Sequence, residues 1–592
     1  MDARYLKNRL NAWLPISLIA IASAHFMLNA FLWNSSPNHW DSAQYLLDIR
    51  SISGGGGLEP LVLPLRYAHP AYILLSVFSN RLLSPLGLSV DDTTLLVSML
   101  CGAFTSVAMY HIVVLIYSDR RLALWGAALT CFNPLVLWYS NEMMTDVPAF
   151  AAVMLSLVLS LKWRRDGGHG TLTAASLAFG VGLMFRLTNA IALPATLLVL
   201  LDRGGPFTQR VKVLTVFTAL ALVPLAAYVA YSSYALDATL GYYLASDPVL
   251  LPKWARFVSP IAWQILPSFV INIMTLFTTA VVVSWALRGA VSLIMGGGLP
   301  GDCTLKVAYP LALILPELVY TRSLLIWFEQ HARYHLITVP GFVLILLYIT
   351  HKVSRRLENS SVAFASILLV MSLSFAVDIT LVLDVDYPKY DRLAEFIASN
   401  PVLFGTRLMA AFVFVAALYA AYINLTPLFR IKPAKVPFLL ALLILYQVAY
   451  TFPILHLNHT SINHEKAEAL WFAENTPPGS LILAGHEYPF DRYYAAPRKV
   501  VFVRNSSDLG KIRRAVDLCL GGNCSVYLTR NNYVRKSLIL ADKRYRLVKV
   551  GVIDGSTLRN QFEHEFYYMN YNRMSRAVNI SFFRLESAPP SN

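Results

Sequence analysis

The sequence predicts a mainly α polytopic membrane protein of about 11–13 transmembrane helices, carrying a small C-terminal α/β domain outside the bilayer. Three observations lead there. Hydrophobic residues make up 56% of the 592-residue chain and charged residues only 14%, against roughly 25% charged in a soluble protein; mean hydropathy is +0.53. Apolar runs long enough to cross a bilayer recur from the N-terminus to residue 454. Beyond them the composition turns polar, and short strand-like and helix-like runs alternate.

The first run, 13–33, follows Arg4, Lys7 and Arg9. It has roughly the 20 residues that a span requires and lacks a small-residue cleavage site, so it reads as a retained helix rather than a signal peptide. Further runs lie at 94–117, 121–140, 146–163, 172–185, 188–201, 211–234, 265–287, 307–322, 335–351, 361–383, 402–424 and 435–454, with Arg186 separating two short ones. Basic residues gather in every second connection: Arg120/Arg121, Lys162/Arg164/Arg165, Arg203/Arg210/Lys212, Arg288/Lys306, Lys352/Arg355/Arg356 and Arg430/Lys432/Lys435. Positive charge marks the cytoplasmic side, so the N-terminus is expected there. With an odd span count the C-terminus is expected outside, in a multi-pass protein of the plasma (inner) membrane. The net charge of +15 is spread over these clusters and forms no single stripe, so nucleic acid is not an expected partner.

Residues 1–454 thus read as a membrane domain with long outer loops at 34–93 and 235–264, and 455–592 as an extracytoplasmic domain. In the latter, 480–484, 500–503, 525–529 and 546–553 are strand-like, and 465–474 and 509–518 helix-like. Cys519 and Cys524 flank a polar stretch and suit a small disulfide loop, which needs an oxidising compartment. Cys101, Cys131 and Cys303 show no ligand-like spacing. The glycines at 54–57 read as a hinge in the first outer loop.

Three constellations are candidates for chemistry. Residues 39–50 read His-Trp-Asp-Ser-Ala-Gln-Tyr-Leu-Leu-Asp-Ile-Arg. A helix lying on the membrane surface would put Asp41, Gln44, Tyr45 and Asp48 along one face. Asp41 either caps that helix or aims a carboxylate from it. Residues 139–148, Tyr-Ser-Asn-Glu-Met-Met-Thr-Asp-Val-Pro, form a short outer turn holding Glu142 and Asp146. Asp146 ahead of Val147 and Pro148 fits an N-cap, while two acids in one turn at the membrane surface suit general-base work. Residues 327–335 read Trp-Phe-Glu-Gln-His-Ala-Arg-Tyr-His. There Arg333 either reaches lipid headgroups or grips a phosphate bidentately, and Arg186 in Phe-Arg-Leu-Thr-Asn has the same two readings. His331 and His335 lack a third ligand at metal spacing. His69, before Pro70, is either structural or a substrate contact, and the charged loop with Asp384, Asp386, Lys389, Asp391 and Arg392 reads as a solvated rim. Without a Walker loop, a nucleotide-binding glycine fingerprint or a Gly-x-Ser-x-Gly nucleophile, ATP-driven transport is not expected.

In this order the motifs resemble those of the GT-C membrane glycosyltransferases, particularly the branch containing protein O-mannosyltransferases and lipid A aminoarabinose transferases. The motifs are Trp-Asp-Ser-Ala-Gln-Tyr after the first span, His-Pro later in that loop, Met-Thr-Asp-Val-Pro, Phe-Arg-Leu-Thr-Asn and Ala-Arg-Tyr-His-Leu-Ile-Thr-Val-Pro. The resemblance implies a GT-C-like fold and an inverting hexosyl- or pentosyltransferase. Such an enzyme moves a sugar from a dolichyl- or undecaprenyl-phosphate donor to a glycan, lipid or protein acceptor on the extracytoplasmic face. It further implies that Asp41 is the base or acceptor-orienting carboxylate, that Asp146 with Glu142 positions the reacting groups, and that Arg333 holds the lipid phosphate. Tyr334, His69, Arg186 and Tyr45 would contact substrate. No cofactor follows beyond a divalent cation, Mg or Mn, which Asp41 and Asp146 would ligate if one is used. Many relatives carry Asp-Glu where this chain has Asp41-Ser42. The same features admit a transporter or flippase of lipid-linked intermediates, expected to set its charges at mid-membrane, or a non-catalytic relative that binds lipid or a partner.

Overall fold

The computed structural model describes residues 3–33, 40–58, 61, 69–202, 207–236, 304–314, 336–383, 390–426, 434–460, 462–484, 488–502, 509–529, 544–554, 558–559 and 579–587. The expected span 265–287 and most of the second long loop lie outside them.

Hydrocarbon offers no partner for backbone N–H and C=O groups, so apolar runs must fold as helices. Val90–Tyr117, Asp146–Asp166, Thr208–Tyr231 and Pro401–Leu425 are each long and apolar enough to cross a membrane. Shorter apolar helices include Pro15–Phe31, His169–Phe185, Ser361–Val377 and Lys435–Ala449. The run 121–140, expected as one span, is instead two helices, Arg120–Cys131 and Pro134–Ser140, bent by 56°. Pro134 brings no N–H and its ring clashes with the preceding turn. The Asn133 side chain caps the second piece by accepting from the Leu135 N–H at 3.0 Å.

From Val90 to Leu201 the chain passes back and forth, and its two ends differ in charge. At one end Arg164 Nε donates to Asp202 Oδ2 at 2.6 Å, beside the cluster Arg164/Arg165. At the other, the turn 141–145 leads into Asp146–Asp166, whose Asp146 meets Arg186. These are called the basic and acidic ends below. Asp146–Asp166 is mostly buried at the centre of the bundle, whereas Pro401–Leu425 packs one side on Ser361–Leu383 and leaves most of its residues exposed, including Val402, Met409 and Val413. Lipid is as apolar as those side chains, so such a rim carries no penalty.

Helix His169–Phe185 meets its neighbours closely. A Cβ on Gly180 would lie 2.2 Å from the Ala221 carbonyl oxygen of Phe207–Leu236, and the Ser156 hydroxyl of Asp146–Asp166 donates to the Ala175 carbonyl at 2.9 Å. The first expected loop is largely helical, as Trp40–Ser53 and Pro70–Leu83. The glycine run ends Trp40–Ser53: Gly54 N–H donates to Arg50 O at 2.9 Å, and Gly55 adopts φ 87°, where a side chain would strain. The charged segment expected as a rim is helical over Tyr390–Ser399, with Phe396 and Ile397 packed beside Val377.

Helix Lys435–Thr460 carries the chain into the C-terminal region. There β1 (Ile462–Asn463) pairs with β6 (Leu558–Arg559). A five-stranded sheet joins β2 (Leu481–Ala484), β3 (Lys499–Phe502), β4 (Val526–Thr529), β5 (Tyr545–Ile553) and β7 (Ile580–Ser587) in the order β3-β2-β4-β7-β5. β2 runs parallel to β3 and β4, and β7 antiparallel to β4 and β5. β7 was not anticipated from the sequence. Helices His464–Asn475 and Leu509–Gly521 lie where expected, and Cys519 is bonded to Cys524 at the end of the latter. A further short helix, Tyr488–Tyr494, packs against Trp40–Ser53 and is called the cap helix.

Replacing Gly180 by Ala forces a methyl against backbone and is expected to cost about 1–3 kcal/mol, seen as a lower melting temperature in detergent. Gly405→Ala, whose Cβ meets nothing within 4 Å, should melt like the parent.

Candidate active site

The short acidic turn is withdrawn from solvent. Residues 141–146 are all buried, because the first helix reaches them through hydrogen bonds. Asn141 Nδ2 donates to the Asn29 carbonyl at 3.0 Å. Asn29 Nδ2 faces His25 Nε2 at 3.3 Å, and His25 Nδ1 donates to the Cys131 carbonyl at 2.8 Å. With the ring proton on Nδ1, Nε2 is left as an acceptor, which suits the Asn29 amide. Ser140 Oγ, 3.2 Å from the same nitrogen, donates to the Val136 carbonyl at 2.5 Å. Only glycine fits opposite: a Cβ on Gly102 would lie 2.0 Å from Ser140 Oγ and 2.7 Å from His25 Nε2.

Asp146 does not cap its helix. Thr145 takes the N-cap position without a side-chain bond, and Asp146 is the first helical residue. Its carboxylate lies in the first turn, where the helix dipole favours negative charge, and forms an ion pair with Arg186. The Asp146 side chain is 1% exposed and that of Arg186 12%. Arg186 reaches it because His169–Phe185 stops there: Arg186 is the C-cap, in extended conformation at φ −163° and ψ 123°. Asn189 secures the break, its Nδ2 donating to Gly182 O at 2.8 Å and Ala149 O at 3.1 Å. The Phe-Arg-Leu-Thr-Asn motif therefore joins two helices through one ion pair and one bridging amide, and Arg186 faces a carboxylate rather than a lipid headgroup.

Phe185, next to it, has a helix-terminal carbonyl without an intrahelical partner. His69 Nδ1 donates to it at 2.8 Å. His69 holds φ 38° and ψ 51°, a left-handed conformation costly for a non-glycine residue and doubly so before proline. Pro70, pre-set for a first helical turn, opens Pro70–Leu83 directly behind it. Tyr45 meets the His69 ring edge-on at 5.5 Å and the Tyr72 ring at 5.5 Å. Asp41 lies one turn before Tyr45 on Trp40–Ser53 and is partly exposed. The structure thus links Tyr45, His69, Arg186 and Asp146 in sequence, with Glu142 in the same buried turn as Asp146. Arg333, Tyr334, His331 and His335 lie outside the described residues.

Asp48 shares the helix face expected for Asp41, Gln44 and Tyr45. It is 8% exposed, and burial pushes its carboxyl up to about 7, against the opposing pull of the Gln44 amide, which donates at 3.0 Å, and of Arg492. Its spacing from Asp41 was visible; the cap helix that buries it was not.

A divalent cation finds no ready cage here. Among the described residues no three His, Cys, Asp or Glu side chains gather at metal-binding separation, and Asp146 already holds a guanidinium. No step is drawn through a metal.

Comparison with known proteins follows from this geometry. A family model described as dolichyl-phosphate-mannose-protein mannosyltransferase matches residues 75–228, a segment that contains Glu142, Asp146 and Arg186. Among solved structures, ArnT from Cupriavidus metallidurans bound to undecaprenyl phosphate superposes over 97% of this chain and 98% of its own, with TM-score 0.59 at 13% identity. The fold is GT-C, that of the membrane glycosyltransferases. The apo state of the same ArnT gives a TM-score of 0.58 at 13% identity over the same shares. An Archaeoglobus fulgidus oligosaccharyltransferase in the apo form aligns more loosely, covering 91% of this chain and 73% of its own at 12% identity and a TM-score of 0.45. No protein of curated function matches the sequence itself. With this fold and its long apolar helices, the chain is an integral membrane protein.

Removing one partner of a buried ion pair strands the other, at a cost of roughly 3–5 kcal/mol. Asp146→Asn and Arg186→Gln should each lower the melting temperature. Asp146→Asn should do so more, because a guanidinium cannot shed its proton. The double variant should recover part of the loss; melting below both single variants would exclude the pair as described. For Asp48, the folded state holds a proton more tightly than the unfolded chain. Its contribution is complete below the ordinary value of 3.8 and is lost as pH rises to about 7, a difference on the order of 4 kcal/mol. Asp48→Asn should therefore flatten the decline in melting temperature across that window and melt above the parent at pH 8.

Proposed function

We propose that this protein transfers a hexose or pentose from a polyprenyl-phosphate donor to a hydroxyl of a glycan, lipid or protein acceptor. The acidic end and C-terminal domain face the extracytoplasmic side of the plasma (inner) membrane, and the N-terminus faces the cytoplasm. The support is the GT-C fold, whose match over 97% of the chain is to a protein bound to undecaprenyl phosphate. The basic clusters at the opposite end agree with this orientation, since positive charge is retained in the cytoplasm.

The chemistry is a single displacement with inversion. The acceptor oxygen attacks the anomeric carbon opposite the phosphate, the bond from that carbon to the phosphate oxygen breaks with its electron pair, and the polyprenyl phosphate leaves. The acceptor proton passes to a carboxylate. Asp41 is assigned that role because it is partly exposed on a helix end, whereas Asp146 is buried and paired. Asp146 with Glu142 fixes the turn beneath the reacting groups, Arg186 holds Asp146, and His69 with Tyr45 forms the adjoining wall. Arg333, with Tyr334, neutralises the leaving phosphate by bidentate contact.

The test is turnover by purified protein in lipid vesicles supplied with undecaprenyl-phosphate hexoses and pentoses and a membrane-lipid acceptor extract, read as released undecaprenyl phosphate. The parent should turn over, and Asp41→Asn should lose about 10²–10⁴-fold in kcat while melting normally. Parental turnover by Asp41→Asn refutes its role as base. A folded parent that releases no undecaprenyl phosphate from any donor refutes the proposed activity.

A further inference from the structure

The cap helix, Tyr488–Tyr494, belongs to the C-terminal domain but lies on the membrane domain, against the helix that carries Asp41. Tyr493 is 4% exposed and packs with Leu46, Leu95, Met99 and Met143. Met143 lies in the acidic turn between Glu142 and Asp146, so one buried cluster joins the cap helix to that turn. Its hydroxyl donates to Asp91 Oδ1, in the first turn of Val90–Tyr117. Arg50, from the helix Trp40–Ser53, pairs with the same Asp91 oxygen at 3.0 Å and lays its guanidinium 3.7 Å over the Tyr493 ring. Three elements from two domains therefore meet on one carboxylate and one aromatic ring. Beside them Tyr494 packs on Ala43 and Ala469, under Lys466, whose Nζ stands 5.2 Å from the ring.

Burial, then the Asp91 carboxylate, raises the Tyr493 phenol well above the ordinary tyrosine range, so it remains a donor at every working pH. Trp40–Ser53 is thus held on two sides. Tyr45 rests on His69 and Tyr72 within the membrane domain, and Ala43, Leu46 and Arg50 rest on the cap helix. Asp41 lies in the first turn of that helix, just ahead of Ala43 and Tyr45, one held on each side. A helix fixed from one side only can roll, and a carboxylate displaced by about 1 Å from its reacting atoms can lose 10²-fold in rate.

The geometry points to Tyr493 as a positioning residue for sugar transfer. Clasped by Arg50 and Asp91, it docks the C-terminal domain on the membrane domain and fixes the helix bearing Asp41 over the acidic turn, which makes that domain part of the catalytic machinery. This assignment rests on the proposed transferase activity. A role in docking alone would leave the rate of chemistry untouched; a positioning role lowers kcat while the donor binds normally.

The experiment compares the full-length parent, Tyr493→Ala and Tyr493→Phe in vesicles, each also carrying the pair Ala43→Cys and Ala469→Cys. Those two alanines are fully buried in one cluster, on opposite sides of the contact. Tyr493→Ala is expected to lose at least about tenfold in kcat with the donor KM within about threefold. Oxidation of the cysteine pair should restore most of that rate, and reduction should abolish the rescue, with the parent under the same reductant correcting for Cys519–Cys524. Parental kcat in Tyr493→Ala, a loss confined to KM, a bridged variant that stays slow, or a pair that fails to bridge would each overturn the assignment. Should Tyr493→Ala not fold, Tyr493→Phe keeps the ring beneath Arg50 and loses only the bond to Asp91, and parental kcat in that variant overturns it. A parent without turnover on any donor refutes the transferase reading instead, while bridging of Ala43→Cys to Ala469→Cys still tests the contact.

Discussion

A carboxylate and a guanidinium buried against each other at one end of a helical bundle constrain much of what surrounds them. Neither Asp146 nor Arg186 is tolerable alone in so dry a place, and each is delivered by a helix end: the first turn of one helix and the broken end of the next. The break at Phe185 that frees Arg186 also frees the carbonyl that His69 takes up, and His69 in turn supports Tyr45 and the helix on which Asp41 sits. The order of dependence runs from a single charge pair outward to a strained loop residue and then to the candidate base. Loss of the pair would be felt at Asp41 through His69 and Tyr45.

Much of the fold was legible because lipid enforces a simple grammar. Long apolar runs became helices, and Arg186, read as a separator, does end one. The bend within the run 121–140 was not legible, because hydropathy sums over Asn133 and Pro134 without weighing the missing N–H. The strands β2 to β5 announced themselves through β-branched and aromatic runs; β7 follows a long polar segment that drew attention away from it. At the site, the residue types were readable but their partners were not. Asp146 fits an N-cap pattern locally, and only the distant Arg186 decides otherwise. The burial of Asp48 was not readable, because Arg492, whose charge acts on it, lies more than four hundred positions further along the chain.

The site joins two kinds of order. Toward the membrane, the His25, Asn29, Ser140 and Asn141 network fixes the turn with neutral hydrogen bonds, each short of water and therefore directional. Toward the C-terminal domain, the fixing contacts are charged and aromatic, made by Arg50, Asp91 and Tyr493 at a partly wet boundary. The first kind resists any change of geometry. The second can be released and remade at modest cost, as befits the side from which an acceptor has to arrive.

The helix Pro401–Leu425, apolar and with most of its residues exposed, bears on how much change such a chain tolerates. A lipid-facing position asks only that a side chain be apolar, so leucine, valine, phenylalanine and methionine exchange there with little effect, and residue identity drifts while the path of the backbone does not. Such tolerance is compatible with one fold shared over 97% of the chain at 13% identity. The information that distinguishes one such protein from another is then concentrated in a few dozen polar and glycine positions, and a comparison weighted toward those positions should separate them where overall similarity fails.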